Sequence, residues 1–410
     1  MPLSLGAGLV LIVLGAAAGA PGLLLIGVLV LLTVGLTGLW SRRGLRSLAY
    51  AHRLGSERAV VGDEVPLDLV LRNEKLLPLP FVRTEDLVSD DLVLREQSLA
   101  RTDQPGLGAI TEAWSVASFQ QVVRHRHVLA RQRGVFRFGP ARVRVADLFG
   151  RTATSREDPL PATLVVRPPT VALRPTGAHR PAPGERPARR GLIEDPALFA
   201  GVRPFQPGDP LRRIHWRATA RLGHPVSRRF DPAQTRTALV VVDVQTVEGP
   251  HWRMAYDEDV VESLIVAAGS LVRALLADGV ACGLGAAAWT GTIERLAYLA
   301  PGSGPDQMAR AADLLARLSP FASAPFELLL GSLPASLPRG ASLHVLTGRD
   351  PSPYLAVLRR LRSGGAEVDL LCFGGQATAA ASRARLVGLA AAVGRVLPDW
   401  HAPNAVEVAG

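Results

Sequence analysis

The first 41 residues contain no charged side chain, and this feature constrains the fold more than any other. Two apolar runs, Leu3 to Ala18 and Leu23 to Trp40, flank the turn-forming sequence Gly19-Ala20-Pro21-Gly22. The pattern predicts a transmembrane helical hairpin over residues 1–41. One long tilted span and a cleaved signal peptide are the alternatives, although the segment lacks the basic n-region that a signal peptide needs.

The residues after the apolar region predict which side of the membrane the chain occupies. Trp40 stands where an interfacial anchor belongs. Four arginines follow before the first acid at Glu57: Arg42, Arg43, Arg46 and Arg53. Because basic residues favour the cytoplasmic side, we expect a protein of the cytoplasmic membrane whose soluble domains face the cytoplasm.

The overall composition indicates folded domains. Of the 410 residues 48% are hydrophobic, which excludes wholesale disorder, and the length suits two or three domains. Cys282 and Cys372 are the two cysteines, too few for a disulfide framework. The net charge of +10 is uneven, since residues 1–236 carry +13 and the remainder −3. Any basic surface for a partner therefore lies in the first half.

Alternating apolar positions characterise residues 58–167. Val65, Leu67, Leu69 and Leu71 alternate with other residues, and further short strand-like runs follow without a long helical pattern. We predict a β-sandwich of immunoglobulin-like type. His125 and His127 share one strand face and would suit a metal, but no third ligand is evident, so a solvated face is favoured.

A Pro- and Arg-rich linker is predicted at 168–198, and a distinctive segment follows at 199–236. Pro207-Gly208 predicts a turn, Asp209 an N-cap and Pro210 the first position of a helix. On that helix Arg213, Arg217 and Arg221 would form one cationic stripe. Such a stripe either pairs with acids of the next domain or binds an anion. The candidate interdomain or anion-binding residues are Gly201, Arg203, Phe205, Gly208, Asp209, Arg212, Arg213, His215, Trp216, Arg217 and Arg221.

This segment resembles the signature of a prokaryotic family, domain of unknown function 58. Upstream sequences are similar to the β-domain of that family, including Arg133 to Pro140 and Asp147 to Gly150, where Leu148 replaces the usual proline. The resemblance implies a membrane-anchored protein that ends in a von Willebrand factor A-like domain. Members are commonly encoded beside a MoxR-type AAA+ ATPase and a transglutaminase-like membrane protein, and no known reaction is implied.

Residues 237–410 alternate between strand-like and helix-like segments, which is typical of a doubly wound α/β sheet. Four strands are predicted, at Ala238 to Val242, Val280 to Ala287, Ser342 to Leu346 and Glu367 to Phe373, and the first is apolar enough to be buried. Helices are predicted at Asp257 to Ala277, Pro305 to Leu318, Tyr354 to Ser363 and Ala377 to Arg395.

Asp243 ends the first of these strands, at the edge where such sheets bind ligands. Von Willebrand A domains that hold Mg²⁺ carry Asp-x-Ser-x-Ser there, and its hydroxyls are ligands. In this chain Gln245 and Val247 replace the two serines, so we expect a degenerate site without metal. Asp243 is expected to cap the following loop or to pair with an arginine.

The sequence contains no P-loop, no G-x-S-x-G elbow and no cluster of Cys and His. We therefore expect no enzymatic activity and no cofactor. The leading hypothesis is a membrane-tethered scaffold that binds protein partners, such as a MoxR-type AAA+ ATPase, in envelope-associated assembly or quality control. The alternative is an anion or phospholipid-headgroup binder that uses the arginine helix; nucleic acid is not an expected partner.

The predicted organisation is a transmembrane hairpin (1–41), a basic juxtamembrane segment (42–57), a β-sandwich (58–167), a linker (168–198), the signature (199–236) and a von Willebrand A-like domain (237–410).

Overall fold

The computed structural model describes residues 2–146, 153–171, 194–206, 211–232, 237–333, 337 and 340–397. The chain divides into two compact units. The N-terminal unit is Met1–Pro169 with Leu315–Arg317, and the C-terminal unit is Thr170–Leu314 with Leu318–Gly410. Most of the predicted linker (172–193) lies outside the described residues.

The chain begins with two antiparallel apolar helices, α1 (Pro2–Ala17) and α2 (Pro21–Arg43). Gly19 makes the turn in a left-handed conformation, with φ +64°. At Gly27 an added Cβ would lie 3.0 Å from the Gly8 carbonyl oxygen, so the two backbones approach closely. The predicted helical hairpin is confirmed, and Pro21–Trp40 is long and apolar enough to cross a membrane.

Eleven strands follow in the described residues of the N-terminal unit. They are β1 (Leu48–Leu54), β2 (Arg58–Val60), β3 (Glu64–Asn73), β4 (Leu79–Ser89), β5 (Val93–Leu94), β6 (Ala100–Arg101), β7 (Leu107–Val116), β8 (Gln121–Leu129), β9 (Gly134–Ala146), β10 (Ala153–Asp158) and β11 (Ala162–Arg167). One sheet has the order β1-β3-β8-β5. The larger sheet has the order β2-β11-β9-β4-β7-β6, and β10 pairs with β9.

Strand β1 differs from the sequence-based prediction, which placed only a basic juxtamembrane segment at 42–57. It pairs antiparallel with β3, from Leu48 opposite Asn73 to Leu54 opposite Leu67. Within β1 the side chain of Tyr50 is buried and that of Arg53 is exposed, so the two lie on opposite faces of the sheet. The strand was missed because the arginines around it obscure a short apolar pattern.

The alternation predicted for β3 is confirmed, because Leu67, Leu69 and Leu71 are fully buried. Side chains of the two sheets meet in this core. The Tyr50 hydroxyl donates to Asp86 Oδ2 at 3.3 Å, and His52 Nδ1 lies 2.7 Å from the same oxygen. The two histidines of β8 contact different carboxylates: His125 lies 2.6 Å from Asp68 and His127 lies 2.7 Å from Glu96.

Trp40, which the sequence predicts as an interfacial anchor, is packed against the protein. Its side chain is only 7% exposed, and its indole Nε1 donates to the Pro78 carbonyl at 3.0 Å. Buried indole nitrogens need an acceptor, and the loop between β3 and β4 supplies one. Trp40 therefore fixes the end of α2 on the sheets of the same unit.

In the C-terminal unit a six-stranded sheet has the order β16-β15-β14-β17-β18-β19. All neighbouring pairs are parallel except β15 with β16. Two strands, β12 (Glu194–Pro204) and β13 (Val226–Pro232), form a separate antiparallel pair with α3 (Trp216–Leu222) between them. The remaining elements are β14 (Thr237–Asp243), α4 (Glu258–Ala277), β15 (Ala281–Ala286), β16 (Ala297–Gly302), α5 (Pro305–Arg317), α6 (Phe326–Ser332), β17 (Ser342–Thr347), α7 (Leu355–Ser363), β18 (Glu367–Cys372), α8 (Ala377–Leu386) and β19 (Ala390–Val393).

The four predicted strands and four predicted helices of this unit are present at nearly the expected positions. Helix α4 is long and apolar enough to pass as a membrane span, but most of it is buried in the unit. The prediction of a helix from Ala377 to Arg395 is wrong beyond Leu386. Gly388, at φ +82°, ends the helical path, and Ala390–Val393 pairs with β18 instead.

Candidate functional site

The strand order places Asp243 at the topological switch point of the sheet. β14 has β15 on one side and β17 on the other, so the chain leaves β14 toward one half of the sheet and later returns to the other. The loops after β14 and β17 diverge at this carboxyl edge. Crevices of this kind are where open α/β sheets bind ligands.

Two oppositely charged side chains fill this position. Arg349, two residues beyond the end of β17, places its Nε 2.7 Å from Asp243 Oδ2. The other carboxylate oxygen, Oδ1, accepts the Gln245 backbone N–H at 3.2 Å. The expectation that Asp243 caps its loop or pairs with an arginine is confirmed in both parts. Both side chains are less than a tenth exposed, so neither charge is solvated.

Further side chains hold the guanidinium of Arg349 in place. Its central carbon lies 5.5 Å from the centre of the Tyr354 ring, and Glu327 Oε1 lies 4.0 Å from its Nη2. Thr347 Oγ1 accepts two hydrogen bonds, one from the Tyr354 hydroxyl at 2.7 Å and one from the Arg349 backbone N–H at 3.3 Å. Burial raises the pKa of Asp243, and the Arg349 guanidinium opposes the rise.

The loop after Asp243 does not fit a divalent cation. The Gln245 side-chain amide donates to the carbonyls of Val247 and Gly249, at 3.1 and 2.7 Å. The Thr246 hydroxyl accepts the Asp257 backbone N–H at 2.8 Å, which ties the loop to the start of α4. The carboxylate is already neutralised by Arg349, and Val247 has no side-chain oxygen. A cation here would meet a buried guanidinium in place of hydroxyl ligands.

Aromatic side chains lie in the loops that follow β14 and β15, at the carboxyl ends of these strands. Trp252 and Tyr256 lie in the loop after β14, and Trp289 lies in the loop after β15. The rings of Tyr256 and Phe321 meet edge to face at 5.1 Å, and the backbone N–H of Trp289 donates to the Phe321 carbonyl at 3.4 Å. We call Trp252, Tyr256, Trp289 and Phe321 the aromatic surface. Sequence reasoning missed it because these residues come from three separate loops.

The signature segment has a different structure from the predicted one. Asp209 and Gly208 lie outside the described residues. After them a 3₁₀ turn covers Leu211–Arg213, and the α-helix begins only at Trp216. His215 is its N-cap, because its Nδ1 accepts the Ala218 N–H at 3.1 Å. The prediction that the helix begins at Pro210 is therefore wrong. Arg213 does not lie on the same helix as Arg217 and Arg221.

The other signature residues belong to the antiparallel pair of strands. Gly201 and Arg203 lie on β12, and the Phe205 N–H donates to the Pro225 carbonyl at 3.0 Å. Gly201 has φ +138° beside a register shift, a conformation that favours glycine. Arg212 lies in the 3₁₀ turn. Helix α3 has no buried residue, so Trp216, Arg217 and Arg221 project from the unit.

Sequence reasoning did not connect Arg349 or Tyr354 with Asp243. Arg349 lies 106 positions after Asp243 along the chain, so no local pattern connects them. The sequence Thr347-Gly348-Arg349-Asp350 follows a predicted strand, and its position at a strand end is the one signal available. Glu327 lies on α6, a helix that was not predicted.

Comparison with known proteins identifies a family over part of the chain. Residues 201–365 match the family described as "Protein of unknown function DUF58", so the resemblance of the signature is confirmed over this range. The match includes Asp243 and Arg349. "Uncharacterized protein YeaD" of Bacillus subtilis (strain 168) is 23% identical over 252 residues, which are 60% of this chain and 58% of that relative. The aligned part therefore spans little more than half of the relative.

Solved structures give only weak matches. The CARDB domain of a Pyrococcus furiosus protein is 13% identical, with 29% of this chain and 89% of that chain covered and a TM-score of 0.20. Spo0M, the sporulation control protein from Bacillus subtilis, is 10% identical over 30% of this chain and 50% of that chain, with a TM-score of 0.19. At these TM-scores neither structure bears on the function of this chain.

Proposed function

We propose that the protein is a non-enzymatic, membrane-tethered scaffold that binds protein partners at the carboxyl edge of its C-terminal sheet. The aromatic surface carries this proposal. Large aromatic side chains that are exposed together are typical of protein interfaces, where they supply most of the binding energy. Met254 and Ile293, on the same two loops as Trp252 and Trp289, are also exposed.

The buried ion pair supports binding in preference to metal-dependent chemistry. Asp243 is the residue that would ligate a metal at this edge, and Arg349 holds it in a salt bridge. Such a pair fixes the two loops without leaving a free acid, base or nucleophile. The edge thus offers a rigid surface for a partner.

In this proposal the N-terminal sheets form an immunoglobulin-like β-sandwich, and the C-terminal unit is von Willebrand factor A-like. The hairpin of α1 and α2 lies in the cytoplasmic membrane, and both units face the cytoplasm. The resemblance to the family suggests a MoxR-type AAA+ ATPase as the partner, with a role in envelope-associated assembly or quality control.

The test measures binding of a purified MoxR-type AAA+ ATPase from the same genome to the full chain in nanodiscs. Combining Trp252→Ser with Trp289→Ser should weaken binding about tenfold or more, because two exposed anchors are lost. Leu386→Ser, an exposed apolar residue on α8, is the matched control. Equal affinity of all three proteins would refute the aromatic surface, and no binding by the wild type would refute the partner.

A second candidate function is anion binding, and helix α3 favours it. Arg217 and Arg221 are exposed on α3, and neither has an ion-pair partner among the described residues. The exposed indole of Trp216 lies on the same short helix. Heparin binding by the full chain in neutral nanodiscs should then weaken steeply with salt, and Arg217→Ala with Arg221→Ala should reduce the slope by about 2. An unchanged slope would remove this candidate.

A further inference from the structure

Two loops at one end of the N-terminal unit carry exposed apolar side chains. Leu76, between β3 and β4, is 76% exposed, and Phe119, between β7 and β8, is 69% exposed. The Phe119 N–H donates to the Lys75 carbonyl at 3.2 Å, and the Ser118 hydroxyl donates to the Leu76 carbonyl. We call Leu76 and Phe119 the apolar tip. The hydrogen bonds between the loops hold it as one rigid surface.

The apolar tip lies beside the end of α2. Lys75, next to Leu76, donates from its Nζ to the carbonyls of Gly44 and Arg46, at 2.8 and 2.6 Å. Pro78, in the same loop, accepts the hydrogen bond from Trp40, the last residue of the apolar stretch of α2. A loop that contacts the final residue of a span lies at the level of the lipid headgroups.

The charges at this end suit the surface of an anionic bilayer. Arg42, Arg43 and Arg46 are exposed at and just after the end of α2. Arg72, at the end of β3, is exposed beside Glu74, with its Nε 3.1 Å from the carboxylate. Arginines around exposed apolar side chains are typical of segments that enter the headgroup region, because the charges bind phosphates while the apolar groups enter the acyl boundary.

The backbone of Phe119 gives independent support. Its φ of +54° lies in the left-handed region, where a bulky aromatic residue is strained and Gly or Asn is usual. Core packing of the side chain does not offset the energetic cost of this conformation, because most of the side chain is exposed. Burial of the ring in an apolar environment outside the protein would offset that cost.

We propose that the apolar tip inserts into the bilayer that holds the hairpin, so that the N-terminal unit contacts the membrane with its loops as well as its helices. The proposal rests on the proposed membrane anchoring by α1 and α2. It names the lipid surface as the partner of Leu76 and Phe119, and anionic headgroups as the partners of the surrounding arginines.

The test uses the full chain with single introduced cysteines that carry an environment-sensitive fluorophore. Labelling is done in detergent, before reconstitution into vesicles of phosphatidylcholine and phosphatidylglycerol. Phe119→Cys and, on the other loop, Leu76→Cys report on the apolar tip. Leu25→Cys, on the exposed surface of α2, reports on the hairpin. Val60→Cys is the aqueous control, because it precedes β3 at the opposite end, about 30 Å away along that strand. Cys282 and Cys372 are buried, and labelled wild type measures their background.

Nitroxide groups on the lipid acyl chains should quench the fluorophores at positions 25, 76 and 119, while aqueous iodide quenches the one at 60. If the label at 25 is quenched by lipid but those at 76 and 119 respond only to iodide, the apolar tip is refuted and the anchoring stands. If the label at 25 also responds only to iodide, the anchoring itself fails, and the proposal with it.

Discussion

At the scale of single residues, the pair of Asp243 and Arg349 determines what the carboxyl edge of the C-terminal sheet can do. A buried salt bridge adds little net stability by itself, since desolvation offsets most of the attraction. Loss of one partner is costly, because the remaining charge stays buried without a counter-charge. The pair therefore acts as a fixed connection between the loops after β14 and β17.

Replacement of Arg349 by Ala should reduce the free energy of unfolding of the C-terminal unit by about 3–5 kcal/mol. Hydrogen exchange of the amides of β14 and β17 measures this loss. Arg359→Ala, on the exposed side of α7, is the matched control and should change little. A variant in which these amides stay as protected as in the wild type would show that Arg349 is dispensable.

The same variant should show a pH dependence of known sign. Burial raises the pKa of Asp243, and without the guanidinium only the hydrogen bond from the Gln245 backbone N–H opposes that rise. The folded state then keeps a proton that the unfolded state has already lost. Stability is therefore highest below the unfolded pKa of about 4 and falls as the pH rises through the folded pKa. In Arg349→Ala the amides of β14 and β17 should therefore lose more of their protection from hydrogen exchange at pH 8 than at pH 5, each compared with wild type at the same pH.

Lys75 is the single lysine of the chain, and its environment changes its acidity. Burial and, secondarily, the nearby Arg156 lower its pKa to about 8. Competitive acetylation across pH 6–11 should give a midpoint near 8 for Lys75 in the folded protein, and one near 10.5 after denaturation. Arg156→Leu should move the folded midpoint upward. Equal midpoints in the folded and denatured protein would contradict the half-buried position of this amine.

At the scale of elements, the short helix α3 depends on its two ends. It has seven residues and no buried side chain, so packing contributes little to it. His215 caps its first turn, and Gly223 closes its last turn in a left-handed conformation, with φ +72°. The caps, more than burial, hold this part of the signature in a helix.

Replacement of His215 by Ala should therefore melt α3 locally, at a cost of about 1 kcal/mol. Hydrogen exchange of residues 218–222 should quicken about fivefold, whereas His215→Asn should keep most of the protection, because Asn also accepts at an N-cap. Leu386→Ser, exposed on α8, is the control. Equal exchange in His215→Ala and wild type would contradict the capping role.

Sequence predicted the elements whose patterns are local and missed those that depend on distant partners. The alternation in β3 and the apolar run of β14 are sufficient by themselves. Ala390–Val393 is not, because alanines favour helix, and only the ladder with β18 makes the segment a strand. Likewise Asp243 was correctly expected to pair with an arginine, but nothing near Asp243 in the sequence indicates Arg349.

At the scale of the whole molecule, the uncharged start and the arginines after it determine the expected topology. We expect both units on the cytoplasmic side. Leu386→Cys, strongly exposed on α8, should react with a membrane-impermeant maleimide in inside-out vesicles but not in spheroplasts. Wild type is the control, since both of its cysteines are buried. Reaction in spheroplasts would place the C-terminal unit outside.

The junction between α2 and β1 has a mechanical consequence. Only four residues separate Arg43 from Leu48, and side chains fasten this stretch from several sides. Lys75 Nζ donates hydrogen bonds to the Gly44 and Arg46 carbonyls. Arg156 donates to the carbonyls of Leu45 and Leu48, at 3.1 and 2.8 Å. These hydrogen bonds restrict rotation of α2 relative to β1. A pull or torque applied to the N-terminal sheets would therefore be transmitted directly to α1 and α2.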